Sequence, residues 1–154
     1  MKKKKKFCKD LGADLVILYK KEDFFKKVKI YTRNKGVDII LDMIGKEYFS
    51  KNLELLKDQG KLVSIAFLSG KDVKLDLSVI LKKRILITGS TLRPRTVKEK
   101  AKIAKNVKRR CWPLFENKTL KPIIYKTFNL KDAFKAHKLM ESSKHIGKII
   151  LINK

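Results

Sequence analysis

The chain has 154 residues, 44% of them hydrophobic, which is enough for one domain with a real core. No apolar run is long enough to span a bilayer, so a membrane protein is not expected. Forty Lys and Arg against 15 Asp and Glu give a net charge of +25, yet the basic residues are mostly lysines spread along the chain. Base reading favours the rigid fork of Arg, and strand stacking favours clustered aromatics. A specific nucleic-acid partner is therefore not expected, although salt-sensitive sticking to polyanions is.

The lysine run that opens the chain looks like the start of a signal peptide. Lys9, Asp10 and Asp14 interrupt what would be its apolar region, so a cytoplasmic protein is expected instead. Phe7, Cys8 and Leu11 fall on one helical face, which Gly12 ends. Leu15-Val16-Ile17-Leu18 has the pattern of a short buried strand. Residues 22–32 predict a helix with Asp23 near its start, packing through Phe24, Val28 and Tyr31 and ended by Asn34-Lys35-Gly36.

Gly36-Val37-Asp38-Ile39-Ile40-Leu41-Asp42 reads as a buried strand ending in an acid. A helix follows, marked by Tyr48, Phe49, Leu53 and Leu56 and closed by Gln59-Gly60. Two more apolar strands are predicted at residues 61–67 and 85–90, with a loop at Leu68-Ser69-Gly70-Lys71 and a short helix at 77–83 between them. Near-continuous apolar strands alternating with helices indicate a parallel sheet covered on both faces.

Thr96 and Glu99 form a capping box that opens a long amphipathic helix, expected to break at Pro113. Pro122-Ile123-Ile124-Tyr125 is extended, residues 130–142 predict a helix with Ala133, Phe134, Ala136 and Met140 inward, and residues 147–152 predict a closing strand. There is no repeat and no linker, so a single α/β domain is expected. Two cysteines, Cys8 and Cys111, cannot make a disulfide framework, and two histidines without a paired motif do not suggest a structural zinc. A doubly wound sheet should open on a glycine-rich phosphate loop, and these residues contain none. The expected fold is thus an incomplete Rossmann-like doubly wound parallel sheet.

Several segments follow one another in a recognisable order: Leu11-Gly12-Ala13-Asp14, Tyr19-Lys20-Lys21-Glu22-Asp23-Phe24 and Gly36 through Gly45. Gly89-Ser90-Thr91-Leu92-Arg93-Pro94-Arg95, Leu120-Lys121-Pro122, Ala136-His137-Lys138-Leu139-Met140-Glu141 and Ile146-Gly147-Lys148-Ile149 continue the series. Together they resemble the carboxy-terminal part of the zinc-free quinone oxidoreductases, the zeta-crystallin-like branch of the medium-chain dehydrogenase/reductase superfamily. The resemblance implies a partial NAD(P)-binding domain over residues 1–154, lacking its first two strands and the glycine-rich loop, with nothing corresponding to the family's GroES-like catalytic domain. It implies NADPH as cofactor and hydride transfer to a quinone, enone or other carbonyl.

Residue by residue, the resemblance places Lys4 and Tyr19 at the cofactor's 2'-phosphate. Ala66, Phe67 and Leu68 end a strand where the family's nicotinamide-side loop begins, and His145 falls near the nicotinamide. Gly89, Ser90 and Thr91 end the next strand at the carboxyl edge, with Gly89 expected to be kept for its backbone rather than for a contact. No catalytic side chain and no metal ligand is implied, and Asp42 is read as orienting backbone amides. Cys111 and Trp112 are read as packing residues, and Arg93 and Arg95 as able to attract phosphate or serve a surface. The implied partners are a second copy of the chain or a separately encoded N-terminal half. Two rival functions stay open: a non-catalytic truncated product that only associates, and a basic polyanion-binding protein.

Overall fold

The computed structural model describes residues 2–153. The chain forms two compact units that divide between Pro94 and Arg95. Both are α/β with parallel strands, the class that the alternating pattern predicts.

In the first unit, helix α1 (Lys2–Asp10) half-buries Phe7 and Cys8, while Leu11 beyond it is exposed. The strand expected at Leu15-Val16-Ile17-Leu18 does not form. A strand needs a neighbour to take its backbone groups, and no ladder among the described residues reaches this segment. Leu18 instead spends both its backbone groups locally: its N–H donates to Glu22 Oε2 (2.9 Å), and its carbonyl accepts from Lys21 and Glu22 (2.7 and 3.0 Å). Helix α2 (Phe24–Tyr31) follows at once, with Asp23 as N-cap accepting from the Phe25 and Lys26 amides.

Strands β1 (Val37–Asp42), β2 (Leu56–Ser64) and β3 (Leu86–Gly89) lie in that order in one parallel sheet. Helix α3 (Phe49–Leu55) joins the first pair and α4 (Ser78–Lys83) the second. Strand β2 begins at Leu56 rather than Lys61, because α3 runs into it without a glycine stop. The last carbonyls of α3 then need donors. Lys83 supplies them, its ammonium bonding the carbonyls of Glu54 (2.8 Å) and Leu56 (2.7 Å). The surplus residues bulge outward, with Gln59 at φ 59, before the register resumes at Ile39 opposite Lys61.

Leu53, Leu56, Leu62 and Ile85 form the buried core, flanked by Val37, Ile40, Phe49, Leu75, Val79 and Ile80. Period-two alternation puts Ile40 and Leu62 on the helix side of the sheet. Ile39 and Leu41 point the other way and are exposed, so the expected cover on both faces is not met within this unit.

The second unit holds α5 (Val97–Glu116), β4 (Ile124–Asn129), a 3-10 turn (Leu130–Asp132), α6 (Ala133–Glu141) and β5 (Lys148–Ile152). Strands β4 and β5 pair in parallel through the α6 crossover. The inward face of α6 is narrower than expected: Ala136 is buried, but Phe134 and Met140 are exposed. Helix α5 is not broken at Pro113 but runs on to Glu116. The ring costs one i→i−4 bond, and in an exposed helix water can replace it. No residue of α5 is buried, so Cys111 and Trp112 are not core residues.

The capping box forms as predicted, Thr96 Oγ1 accepting from the Glu99 amide (3.3 Å) and Glu99 Oε2 from the Thr96 amide (2.8 Å). Thr96→Ala is expected to lower stability by about 1 kcal/mol, read as the shift of a urea unfolding midpoint. The Thr96 amide, then its hydroxyl, hold the Glu99 carboxyl below its ordinary value. A lowered folded-state value stabilises fully above the ordinary carboxylate range, and the gain is lost as pH falls through the lowered value. The difference between the parent chain and Thr96→Ala should therefore shrink on acidification and stay constant from pH about 6 upward.

Candidate functional site

Because all three strands of the first sheet run the same way, Asp42, Ser64 and Gly89 line up at one carboxyl edge. Open α/β sheets bind ligands at that edge. Asp42 is buried, and its carboxylate accepts from the amides of Ile44 (2.8 Å) and Gly45 (3.2 Å), the orienting role expected of it. This bends the chain after β1 toward the loop after β2.

The two loops are knitted together. The amides of Leu68 and Ser69 donate to the carbonyls of Met43 (3.1 Å) and Ile44 (2.8 Å), and Lys46 N–H donates to Gly70 O (3.0 Å). The Ser69 hydroxyl donates to Ile44 O (2.9 Å) and accepts from the Glu47 amide (3.1 Å). Gly45 sits at φ +84, where an added Cβ would lie 2.6 Å from Gly70 O and 2.9 Å from the Phe67 ring. Only glycine fits that approach.

This clamp presents the residues expected at the strand ends: Ala66 is half-buried, and Phe67 and Leu68 are exposed. The Ser90 amide donates to Ser64 O (3.0 Å), which brings Gly89, Ser90 and Thr91 to the same edge. At Gly89 an added Cβ would meet only Ser64 O, at 3.4 Å, so the backbone there does not demand glycine.

Tyr19 rides on the turn that Leu18 and Glu22 close, and it is exposed. The turn lies beside the clamp. Phe24, just after it, packs at a tilt against Tyr48 with ring centroids 4.6 Å apart, and the Tyr48 amide donates to Gly45 O (2.9 Å). Burial raises the Tyr48 phenol above its ordinary value, and Tyr19 and Glu47 add to the shift. Tyr19 and the carboxyl edge therefore share one neighbourhood. Lys4 is exposed on α1, one residue before Lys5, whose charge reaches Glu22.

His145 belongs to the second unit. Its Nδ1 is buried without a hydrogen-bond partner among the described residues, and its ring centroid lies 6.3 Å from that of Tyr125. Arg95 is engaged with Glu99 at 3.4 Å. Among the described residues no three His, Cys, Asp or Glu side chains group to hold a metal, and no helix is long and apolar enough to cross a membrane.

Residues 11–151 match a family model described as zinc-binding dehydrogenase. The chain belongs to that family. Quinone oxidoreductase 1 of Escherichia coli strain K12 is 29% identical over 145 residues, covering 92% of this chain and 43% of the relative. 2-Haloacrylate reductase of a Burkholderia species is 28% identical over 148 residues, with 94% and 44% covered. Polyketide synthase 37 of Dictyostelium discoideum is 27% identical over 155 residues but is covered over only 5% of its length.

Among solved structures, the E. coli quinone oxidoreductase complexed with NADPH superposes with a TM-score of 0.80 at 27% identity, over 99% of this chain and 47% of that one. The chain thus spans less than half the length of these reductases. The carboxyl edge described above is that of a Rossmann-type domain in the medium-chain dehydrogenase/reductase superfamily.

Sequence reasoning missed Ser69, Tyr48 and Glu22. Ser69 reaches Ile44 across 25 residues, a separation that leaves no local pattern. Tyr48 was visible only as an apolar position of a helix, and Glu22 only as the start of a helix and part of a family segment.

Proposed function

We propose that residues 1–154 form a partial NAD(P)-binding domain, the cofactor-holding part of an NADPH-dependent quinone oxidoreductase-like enzyme. The observation that carries this reading is the clamped carboxyl edge with the Tyr19 turn beside it, in a chain whose relatives include quinone oxidoreductases. The donor set fits a phosphorylated nucleotide: an exposed phenol on a fixed turn, exposed ammonium groups on α1 and an open row of strand ends. When bound, NADPH would supply the hydride that reduces a quinone, enone or other carbonyl, so the reading requires no zinc.

In this reading the Tyr19 hydroxyl and the Lys4 ammonium hold the 2'-phosphate. Phe67 and Leu68 lay apolar surface along the nicotinamide side and exclude water. Ser90 and Thr91 offer hydroxyl groups at the neighbouring strand end. The rest of the substrate pocket comes from outside residues 1–154, in the cytoplasm.

Calorimetric titration with NADPH and NADH tests this. NADPH is expected to bind more tightly, and Lys4→Ala should weaken it about fivefold at low salt, the equivalent of roughly 1 kcal/mol. Lys3→Ala should do little, because a site-specific contact differs from a general positive field. Equal affinities for the two nucleotides would overturn the NADPH reading. Equal losses for the two variants, both vanishing with salt, would withdraw Lys4 from the site.

A further inference from the structure

The turn that carries Tyr19 holds a carboxylate where a phosphate is to bind, and the way that carboxylate is disposed of is specific. The two oxygens of Glu22 have different tasks. Oε2 accepts from the Leu18 amide at 2.9 Å and closes the turn from beneath. Oε1 faces the ammonium of Lys27 at 3.2 Å. The Leu18 carbonyl is held as well, by the amides of Lys21 and Glu22, so Tyr19, Lys20 and Lys21 form an arch fixed at both ends. Asp23 directs its own carboxylate away from the arch, onto the amides that start α2.

We propose that Glu22 and Lys27 are positioning residues that make this arch selective for a ribose bearing a 2'-phosphate: Glu22 fixes the arch, and Lys27 cancels the charge this requires. The inference rests on the reading of Tyr19 as a phosphate ligand. Without Lys27 the carboxylate would still close the turn through Oε2. Its negative charge would then stand within a few residues of Tyr19, where it repels a dianion far more than a neutral ribose hydroxyl. The Glu22 carboxyl is held below its ordinary value by the Leu18 amide first and Lys27 second, with Lys5 adding a smaller part. Lys5 therefore compensates only in part for the loss of Lys27. Neither residue need touch the nucleotide.

The probes are adenosine 2',5'-bisphosphate and 5'-AMP, which differ by the phosphate in question, titrated calorimetrically onto the full chain at low salt. Lys27→Met should weaken the bisphosphate roughly fivefold and leave 5'-AMP unchanged, the scale of one exposed charge pair. Adding Glu22→Gln to Lys27→Met should restore the lost affinity, since an amide oxygen can still accept from Leu18 while the charge is gone. A purely structural ion pair predicts no such rescue. Lys26→Met, one position along the same helix, should have little effect.

The chemical shift of the Leu18 amide reports whether the turn persists in each variant. Equal losses for Lys26→Met and Lys27→Met, or no rescue by the double change with the Leu18 shift retained, would overturn the inference alone. Failure of the parent chain to prefer the bisphosphate over 5'-AMP would overturn the phosphate reading of Tyr19, and this inference with it.

Discussion

Gly45→Ala is expected to destabilise the first unit by about 3 kcal/mol, well beyond the cost of placing alanine in a left-handed conformation, which is about 1–2 kcal/mol. At φ +84 its Cβ would meet Gly70 O at 2.6 Å and Phe67 Cδ1 at 2.9 Å. The first of these atoms is backbone and already accepts from Lys46, so it cannot swing aside cheaply. Either the loops after β1 and β2 separate, breaking the bonds through Ser69, or the Asp42 cap on Gly45 is lost.

Gly12→Ala is the internal control. Gly12 also has positive φ, +95, but an added Cβ would meet nothing within 4 Å among the described residues, so only the conformational cost remains. Urea unfolding of both variants separates the two contributions, and exchange of the Ile44, Leu68 and Ser69 amides shows whether the clamp has opened. A loss at Gly45 no larger than at Gly12 would mean that the clamp is loose and does not fix the positions of Phe67 and Leu68.

What could be read from the sequence was whatever is decided within one turn or one strand. The β1 pattern with its terminal Asp42, the Asp23 cap and the Thr96 capping box all appear where predicted, because each depends on residues at most a few positions apart. The misreadings occur where the outcome depends on distant partners. Leu15-Val16-Ile17-Leu18 has the composition of a strand, but composition supplies no neighbour, and Leu18 turns to Glu22 instead. The end of α3 looked as if it needed Gln59-Gly60, whereas Lys83 of the neighbouring helix α4 closes it.

At the candidate site the same division holds. The strand-end residues were placed by family likeness, and the structure brings Ala66, Phe67, Leu68, Gly89, Ser90 and Thr91 to one edge. What holds that edge rigid is a side chain 25 residues from its partner, which no periodicity announces. Pro113 shows the opposite error, a local rule applied too firmly. A helix open to solvent can lose one bond and continue.

Leu62→Ala and Phe134→Ala give the sharpest contrast in stability. Leu62 is fully buried in the central strand, between Ile40 and Ile87 in register, and belongs to the cluster of Leu53, Leu56 and Ile85. Truncation removes its transfer free energy and leaves a cavity among side chains fixed by α3 and α4. The expected loss is about 3 kcal/mol, a large part of the 5–15 kcal/mol that holds a typical domain together. Phe134 occupies a position of α6 that the amphipathic pattern places inward, yet it is 66% exposed, with Lys135 over its ring at 5.5 Å. Its truncation should change stability by no more than about 0.5 kcal/mol.

Because the chain has two units, a single melting curve is not sufficient. Amide exchange of β1 and β2 should accelerate in Leu62→Ala, while that of β4 and β5 reports the effect of Phe134→Ala. Strong destabilisation by Phe134→Ala would put that ring in a core and restore the wider inward face of α6. A mild effect of Leu62→Ala would mean that the core beneath the carboxyl edge is not what holds β1, β2 and β3 in register, and the rigidity assigned to the proposed site would fail with it.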